Sequence, residues 1–184
     1  MRRSMQPTRL NLNSLGWAVV AWVLVNGLAF PAWAGDAVSE SEKRAKIETL
    51  YREYKKDFAD IQDITPAAAM ELLKTSPAVF VDVRAEKEQK VSMLPGAITE
   101  QEFLSHLERY RDKVIIGYCT ISYRSGKLAE KLKAQGVVML NLRGGLLAWV
   151  HDGGKVYDRN GETRRIHVYG RKWDLGPKDY EAVW

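Results

Sequence analysis

Three short apolar runs constrain the fold of this 184-residue chain more than any other feature. They are VFVDV at 79–83, KVIIGY at 113–118 and VVML at 137–140. Such nearly continuous apolar runs are typical of strands that are buried on both faces of a parallel sheet. Helical segments are predicted between them at 101–110 and 125–135. The alternation predicts an α/β fold with a central, mostly parallel β-sheet and helices on both faces.

Two more helices are predicted before the first strand. Segment 40–58 has apolar residues at three- and four-residue spacing among many charges, which predicts an amphipathic helix packed on the outside of the domain. Binding of a partner protein by this helix is the alternative. Thr65 and Pro66 are typical of a helix start, as N-cap and first helical residue. That helix should end before Ser76, which precedes a proline.

The pattern changes after residue 153. Asn160 and Gly161 lie between two runs of alternating polar and apolar residues, which predicts a β-hairpin. We expect this hairpin and the irregular tail behind it to close over an edge of the sheet as an accessory piece.

The first 34 residues are typical of a secretory signal. A basic start is followed by an apolar stretch at 15–30 and by Ala32-Trp33-Ala34, which has small residues at the two positions that a signal peptidase reads. We therefore expect export to the periplasm or an equivalent compartment, with cleavage after Ala34. An uncleaved membrane anchor is the alternative. The expected organisation is a signal peptide (1–34), an N-terminal helical extension (35–63), a core domain (64–154) and a C-terminal extension (155–184).

The charge balance and the spacing of the histidines argue against nucleic-acid binding and against a metal site. Without the three arginines of the signal, 25 basic residues face 23 acidic ones, a balance that argues against nucleic-acid binding. His106, His151 and His167 lack the spacing of metal ligands, so we expect structural roles for them and no metal site. Contact with a membrane is expected only through an uncleaved signal, and the sequence identifies no protein partner.

Cys119 is the single cysteine of the chain. In an exported protein it cannot form an internal disulfide, so it is either a small buried residue or a reactive thiol. It directly follows the run at 113–118, and ligands bind outside the carboxyl ends of parallel strands. A loop that turns back into the next helix directs backbone N–H groups to its own centre. Those donors would stabilise a thiolate or persulfide anion.

The stretch from Cys119 resembles the active-site loop of the rhodanese family, the sulfurtransferases. In that family a cysteine after a central strand opens a six-residue loop, often with Gly at the fourth position and frequently with Arg at the last. Here Ser122 stands at the fourth position, and the loop reads Cys119, Thr120, Ile121, Ser122, Tyr123, Arg124, followed by Ser125.

Three other segments resemble signatures of the same family, in the same order. They are VFVDVRAEKE at 79–88, MLPGAI at 93–98 and NLRGGLLAWVHDGG at 141–154, with Met93 where histidine is common. The Gly-Gly pair of the last segment is expected to form a tight turn into a helix. The resemblance covers about residues 64–154 and implies a single-domain, rhodanese-like fold.

The resemblance implies sulfur transfer in two steps. Cys119 is expected to be the catalytic nucleophile, which takes the outer sulfur of a donor such as thiosulfate and passes it from a persulfide to a thiol or cyanide-like acceptor. Arg124 is expected to hold the anionic donor by forked hydrogen bonds. Thr120, Ser122 and Tyr123 should shape the entrance, with the Ser122 hydroxyl as a further donor. No metal or organic cofactor is needed.

Asp82 and Arg84 are expected to support the loop from beneath as a hydrogen-bonded polar network.

Three alternatives remain open for the loop. A cysteine-dependent phosphatase would have five residues between Cys and Arg and a preceding His, whereas four residues and Tyr118 are found here. A module that carries or senses sulfur, or docks a partner, would keep the same cysteine without turnover. A buried, inert Cys119 is the third alternative.

Overall fold

The structure, a computed structural model, describes residues 38–184. The predicted signal at 1–34 and the first residues of the predicted N-terminal extension lie outside the described residues. Within 38–184, no helix combines the length and the apolar character needed to cross a membrane.

The centre of the fold is a five-stranded sheet in which every neighbouring pair is parallel. The strand order is β1-β5-β4-β2-β3, so β4 lies in the middle. The strands are β1 (Asp63–Ile64), β2 (Ala78–Asp82), β3 (Ile98–Thr99), β4 (Val114–Tyr118) and β5 (Leu140–Leu142). The predicted parallel sheet is thereby confirmed.

Within residues 38–184, six α-helices flank this sheet on both faces. They are α1 (Glu40–Lys55), α2 (Pro66–Thr75), α3 (Glu86–Gln89), α4 (Glu100–Ser105), α5 (Tyr123–Lys133) and α6 (Gly145–His151). Phe80 of β2 belongs to a core cluster with residues of α1, α2 and α6. Its neighbours Val79 and Val81 belong to a second cluster with residues of α4 and α5. Successive strand residues point to opposite faces, so the two clusters lie on the two sides of the sheet.

Local capping signals mark the starts of the first two helices, but α1 ends at Lys55, and a separate 3-10 helix, Lys56–Phe58, completes the predicted segment 40–58. Ser39 and Glu42 form a capping box at the start of α1, which buries Ile47 and Tyr51 against the domain. The Thr65 side chain accepts a hydrogen bond from the Ala68 N–H at the start of α2. That helix ends at Thr75, as expected from the following Ser-Pro pair.

Other element boundaries differ from the prediction. Helix α5 begins at Tyr123, two residues before the predicted Ser125, so Arg124 lies in its first turn. The strand predicted to begin at Val137 is β5, which begins at Leu140, because the Val137 N–H bonds the Leu132 carbonyl and completes the C-terminus of α5. The predicted helix at 101–110 is divided into α4 and a separate 3-10 helix, Leu107–Tyr110.

The C-terminal extension contains the predicted hairpin and a second strand pair. Strands β6 (Val156–Asp158) and β7 (Gly161–Thr163) are antiparallel, and Asp158 pairs with Gly161, so the turn lies one residue earlier than predicted. The predicted irregular tail instead supplies β9 (Glu181–Val183), parallel to β8 (Arg165–His167). Ile166 and Val168 are fully buried in a core cluster. The extension therefore does more than cover a sheet edge, because it completes the core.

Candidate active site

Cys119 is the first residue after β4, at the carboxyl end of the central strand. The residue is buried, with an exposed fraction of 2%, and it lines a pocket of about 150 Å³. The residues that line this pocket are Tyr54, Cys119, Thr120, Ile121, Tyr123, Arg124, Tyr169 and Trp173. The structure thus brings five of the seven predicted loop residues to the pocket, whereas Ser122 and Ser125 do not line it.

The start of α6 orients the backbone of the loop. The carbonyl oxygens of Cys119 and Thr120 accept hydrogen bonds from the N–H groups of Leu146 and Leu147, at 2.8 and 3.2 Å. The described peptide bonds are all trans, so the N–H groups of Thr120 and Ile121 point away from α6. Neither N–H bonds another described residue. They are therefore available to an anion held beside Cys119.

Gly145 permits this close approach between α6 and the loop. A Cβ atom at this position would lie 2.4 Å from the Cys119 carbonyl oxygen, and the residue has a φ of +59°. Gly144 also has a positive φ, of +70°, which confirms the predicted tight turn into a helix.

Ser122 and Ser125 anchor the loop to β5. Ser122 has a φ of +77°, the left-handed conformation that favours glycine. Its hydroxyl donates a 2.5 Å hydrogen bond to the Leu142 carbonyl, and the Ser125 hydroxyl donates to the Asn141 side chain at 2.6 Å. The expectation that the Ser122 hydroxyl serves the entrance is therefore wrong, because this hydroxyl is buried and already bonded.

Arg124 is paired with an acidic residue that the sequence analysis did not single out. Its Nη1 and Nη2 atoms donate to the two carboxylate oxygens of Glu88, at 2.6 and 2.8 Å. The forked face that was expected to hold an anionic donor is thus occupied by Glu88. In the sequence, the one signal for this partner is the acidic segment that follows Asp82-x-Arg84. The ion pair itself could not be predicted, because 36 residues separate Glu88 from Arg124 along the chain.

Glu88 is an ionised side chain with an exposed fraction of 1%. Burial alone would raise its pKa, but hydrogen bonds from Arg124 and from the Ala85 N–H lower the pKa to about 2. Burial alone would lower the pKa of Arg124, but its bonds with Glu88 and the nearby Cys119 raise that pKa above its ordinary value. Both groups therefore stay charged next to the cysteine.

Asp82 and Arg84 form the predicted polar network beneath the loop. The Arg84 Nη2 donates to the Asp82 carboxylate at 2.7 Å, and both side chains have an exposed fraction of 0%. The hydroxyl of Tyr118, the residue before Cys119, donates to the same carboxylate at 2.6 Å. Burial and the Asp82 charge raise the pKa of Tyr118 well above its ordinary value, so this hydroxyl stays protonated.

Four of the eight residues that line the pocket are aromatic, and three of these four lie outside the loop after β4. Tyr54 lies on α1, Tyr169 follows β8, and Trp173 ends the 3-10 helix Arg171–Trp173. Tyr54 contacts Tyr123 with ring centroids 5.1 Å apart, and Trp173 with centroids 6.5 Å apart. Sequence reasoning missed these residues because they come from both terminal extensions and meet only in the folded chain.

The histidines are distributed over separate places. His151 Nε2 lies 2.7 Å from the Leu175 carbonyl oxygen, and the Tyr169 N–H donates to His167 Nδ1 at 3.0 Å. Among residues 38–184, no group of three or more His, Cys, Asp or Glu side chains could hold a metal ion.

Comparison with known proteins gives a consistent family. Residues 65–152 match the family model of the rhodanese-like domain. A sulfurtransferase of Allochromatium vinosum is 35% identical over 88 residues, which cover 45% of this chain and 80% of that protein. The putative sulfurtransferase YtwF of Bacillus subtilis is 28% identical over 96 residues, which cover 49% of this chain and 91% of that protein.

Two larger proteins are similar to this chain over part of their length. A tRNA sulfurtransferase of Desulfurococcus amylolyticus is 32% identical over 106 residues, but the match spans 21% of that protein. The crystal structure of a thiosulfate sulfurtransferase from Pseudomonas aeruginosa superimposes with a TM-score of 0.50 and 20% identity, and covers 69% of this chain and 25% of that one. This likeness shows a shared fold.

Proposed function

This chain belongs to the rhodanese-like family, a sulfurtransferase family, and we propose that it transfers sulfane sulfur through a persulfide on Cys119. The observation that carries the proposal is the placement of the thiol. Cys119 directly follows the central strand β4 and precedes α5, and the N–H groups of Thr120 and Ile121 bond no other described residue. These donors stabilise negative charge on sulfur, which both the attacking thiolate and the persulfide carry.

The proposed reaction has two balanced steps. The Cys119 thiolate forms a bond to the outer sulfur of thiosulfate, the bond between the two sulfur atoms of the donor breaks, and sulfite leaves with the electron pair. A nucleophile such as cyanide or a thiolate then bonds to the outer persulfide sulfur, and the Cys119 thiolate is released. Neither step needs an external oxidant or reductant.

Intact-protein mass spectrometry tests the first step. The full chain is incubated with thiosulfate, and in parallel with an organic thiosulfonate, beside the Cys119→Ser variant. We expect a gain of one sulfur atom, about 32 Da, that requires Cys119. No gain from either donor, while the thiol is readily alkylated by iodoacetamide, would contradict the proposal.

Turnover distinguishes an enzyme from a sulfur carrier or docking module with the same fold. We expect continuous formation of thiocyanate from excess thiosulfate and cyanide, in amounts far above that of the protein. Formation of no more than one thiocyanate per protein would instead indicate a carrier.

We also propose that the protein acts outside the cytoplasm, in the periplasm or an equivalent compartment. The support is the sequence of residues 1–34, with its basic start, apolar stretch and Ala-x-Ala site. Fractionation of expressing bacteria, with mass spectrometry of the N-terminus, should find a soluble exported form that begins at Gly35. An intact N-terminus in the membrane fraction would support the anchor, and an intact soluble form in the cytoplasm would contradict export.

A further inference from the structure

The pocket above Cys119 has walls that the rhodanese-like domain itself does not supply. Tyr54 precedes the matched range 65–152, and Tyr169 and Trp173 follow it. Three of the eight lining residues therefore come from the two terminal extensions. All three are aromatic, so the extensions supply most of the aromatic surface of this pocket.

The size and lining of the pocket fit a ring-sized apolar group. Its volume of about 150 Å³ is comparable to that of an apolar cavity that binds benzene. Tyr123 packs against Phe58, with ring centroids 6.3 Å apart, and against Tyr54, with centroids 5.1 Å apart. An aromatic group between these rings would lose apolar surface to water on entry and find edge and face contacts there.

The charges around the pocket are unfavourable for a small dianion. Among the lining residues, Arg124 is the only Lys, Arg, Asp or Glu, and it is already neutralised by the buried carboxylate of Glu88. Thiosulfate would have to give up its hydration without gaining a free cation of the pocket wall. Lys172 is exposed, and its Nζ lies 5.4 Å from the ring centroid of Trp173. Its positive charge can balance the single negative charge of an organic thiosulfonate.

We propose that this pocket selects sulfur donors in which the transferable sulfur is attached to a ring-sized apolar body, over the inorganic dianion thiosulfate. The inference rests on the proposed sulfur transfer at Cys119. For an aryl thiosulfonate, the Cys119 thiolate bonds to the terminal sulfur, the bond from that sulfur to the sulfonyl group breaks, and the aryl sulfinate leaves with the electron pair. Charge and electrons balance without a further reactant.

Rates of persulfide formation with three donors test this selectivity. Benzenethiosulfonate, methanethiosulfonate and thiosulfate are each mixed with the full chain, and the gain of mass is followed in time. Each second-order rate constant is divided by that of the same donor with free cysteine, which removes intrinsic reactivity. We expect the normalised constant for benzenethiosulfonate to exceed the other two by about tenfold or more.

Substitutions in the wall show whether the aromatic residues cause the preference. Tyr169→Ala and Trp173→Ala should lower the ratio of benzenethiosulfonate to methanethiosulfonate to about threefold or less, whereas Trp173→Phe should retain most of it. Trp184→Ala is the matched control, because Trp184 is an exposed aromatic residue of the same extension and does not line the pocket. Thermal unfolding of each variant verifies that it is folded.

The two proposals fail in different ways. Equal normalised constants for the three donors, or a ratio that survives in folded Tyr169→Ala and Trp173→Ala, would overturn the selectivity alone. If Cys119 accepts sulfur from none of the donors, sulfur transfer and selectivity are both overturned.

Discussion

At the scale of single residues, the candidate site depends on the carboxylate of Glu88, which does not line the pocket. Glu88 holds the guanidinium of Arg124 by two hydrogen bonds, and its Oε1 lies 3.4 Å from the Thr120 hydroxyl. Both partners belong to the loop that begins at Cys119. Glu88 thereby acts as a positioning residue for Arg124, the cation that lines the pocket together with Cys119.

Glu88→Gln should reduce the free energy of unfolding by roughly 3 kcal/mol at pH 7, the value that corresponds to a pKa of about 2 against an ordinary 4.5. Because the folded-state pKa is lowered, this stabilisation is fully present above pH 4.5 and is lost as the pH falls towards 2. Urea unfolding of both proteins at pH 7 and pH 3 measures the difference.

The control for this substitution is Glu86→Gln, which removes a carboxylate of the same helix α3 whose ion pair with Lys90 is exposed. It should leave stability nearly unchanged at both pH values. A stability difference between wild type and Glu88→Gln that is equal at pH 7 and pH 3 would contradict the assigned role of the ionised carboxylate.

Ser122 combines a left-handed backbone with a buried hydrogen bond, so two substitutions separate these effects. Ser122→Ala keeps the φ of +77° and leaves the Leu142 carbonyl without its donor, which should cost about 1–3 kcal/mol. Ser122→Gly loses the same bond but relieves the backbone by about 1 kcal/mol. Denaturant unfolding should therefore find the Gly variant more stable than the Ala variant, and the reverse order would refute this account.

At the scale of elements, the loop after β4 is held from two directions. Helix α6 restricts the backbone of Cys119 and Thr120, because N–H groups of its first turn donate hydrogen bonds to the carbonyl oxygens of these two residues. Strand β5 binds the other end of the loop through Ser122 and Ser125. The backbone conformation of this loop is thus a product of packing between β4, β5 and α6.

Gly145→Ala should separate α6 from the loop. The added methyl group would lie 2.4 Å from the Cys119 carbonyl oxygen at a residue whose φ is +59°. We expect a loss of about 2–4 kcal/mol in unfolding free energy and a fall of at least about tenfold in the rate of persulfide formation. Chemical denaturation and intact mass spectrometry measure these two quantities.

Gly136→Ala is the matched control, because Gly136 also has a positive φ, of +78°, but has no atom within 4 Å of the added Cβ. It should lose about 1 kcal/mol and keep its rate of sulfur uptake. Equal rates in the two variants would show that contact with α6 does not determine the loop conformation.

At the scale of the whole molecule, the terminal extensions are part of the domain. Helix α1 contributes Ile47 to the core cluster that also contains Ile166 and Val168 of the C-terminal extension. The same extensions supply Tyr54, Tyr169 and Trp173 to the pocket. The two segments therefore contribute both to the core and to the pocket beside Cys119.

Ile166→Ala should destabilise the entire domain and not only the extension. The side chain has an exposed fraction of 0%, and its removal should cost about 2–5 kcal/mol. Circular dichroism and tryptophan fluorescence should report one coincident unfolding transition at a lower denaturant concentration. Val138→Ala, at an exposed position, should change stability by less than about 0.5 kcal/mol. Two separate transitions in Ile166→Ala would show that the extension unfolds on its own.

Much of this architecture follows from local sequence signals. The apolar runs of β2 and β4, the Thr65-Pro66 helix start and the Gly-Gly turn before α6 depend on the period and conformational preferences of neighbouring residues. The position of Cys119 at the carboxyl end of a central strand follows from them. The prediction of a strand at residues 137–139 is wrong. The apolar pattern of this segment is typical of a strand, but its first backbone N–H bonds the end of α5.

The sequence by itself determined an α/β sheet with a lone cysteine at a strand end, because short-range periodicity and capping are encoded by adjacent residues. Only the tertiary structure decided which groups surround that cysteine. Arg124 meets Glu88 across 36 residues of sequence, and Tyr54 meets Trp173 from opposite ends of the domain. Such contacts depend on how distant elements pack, and no local pattern specifies which distant side chain will fill the space beside the thiol.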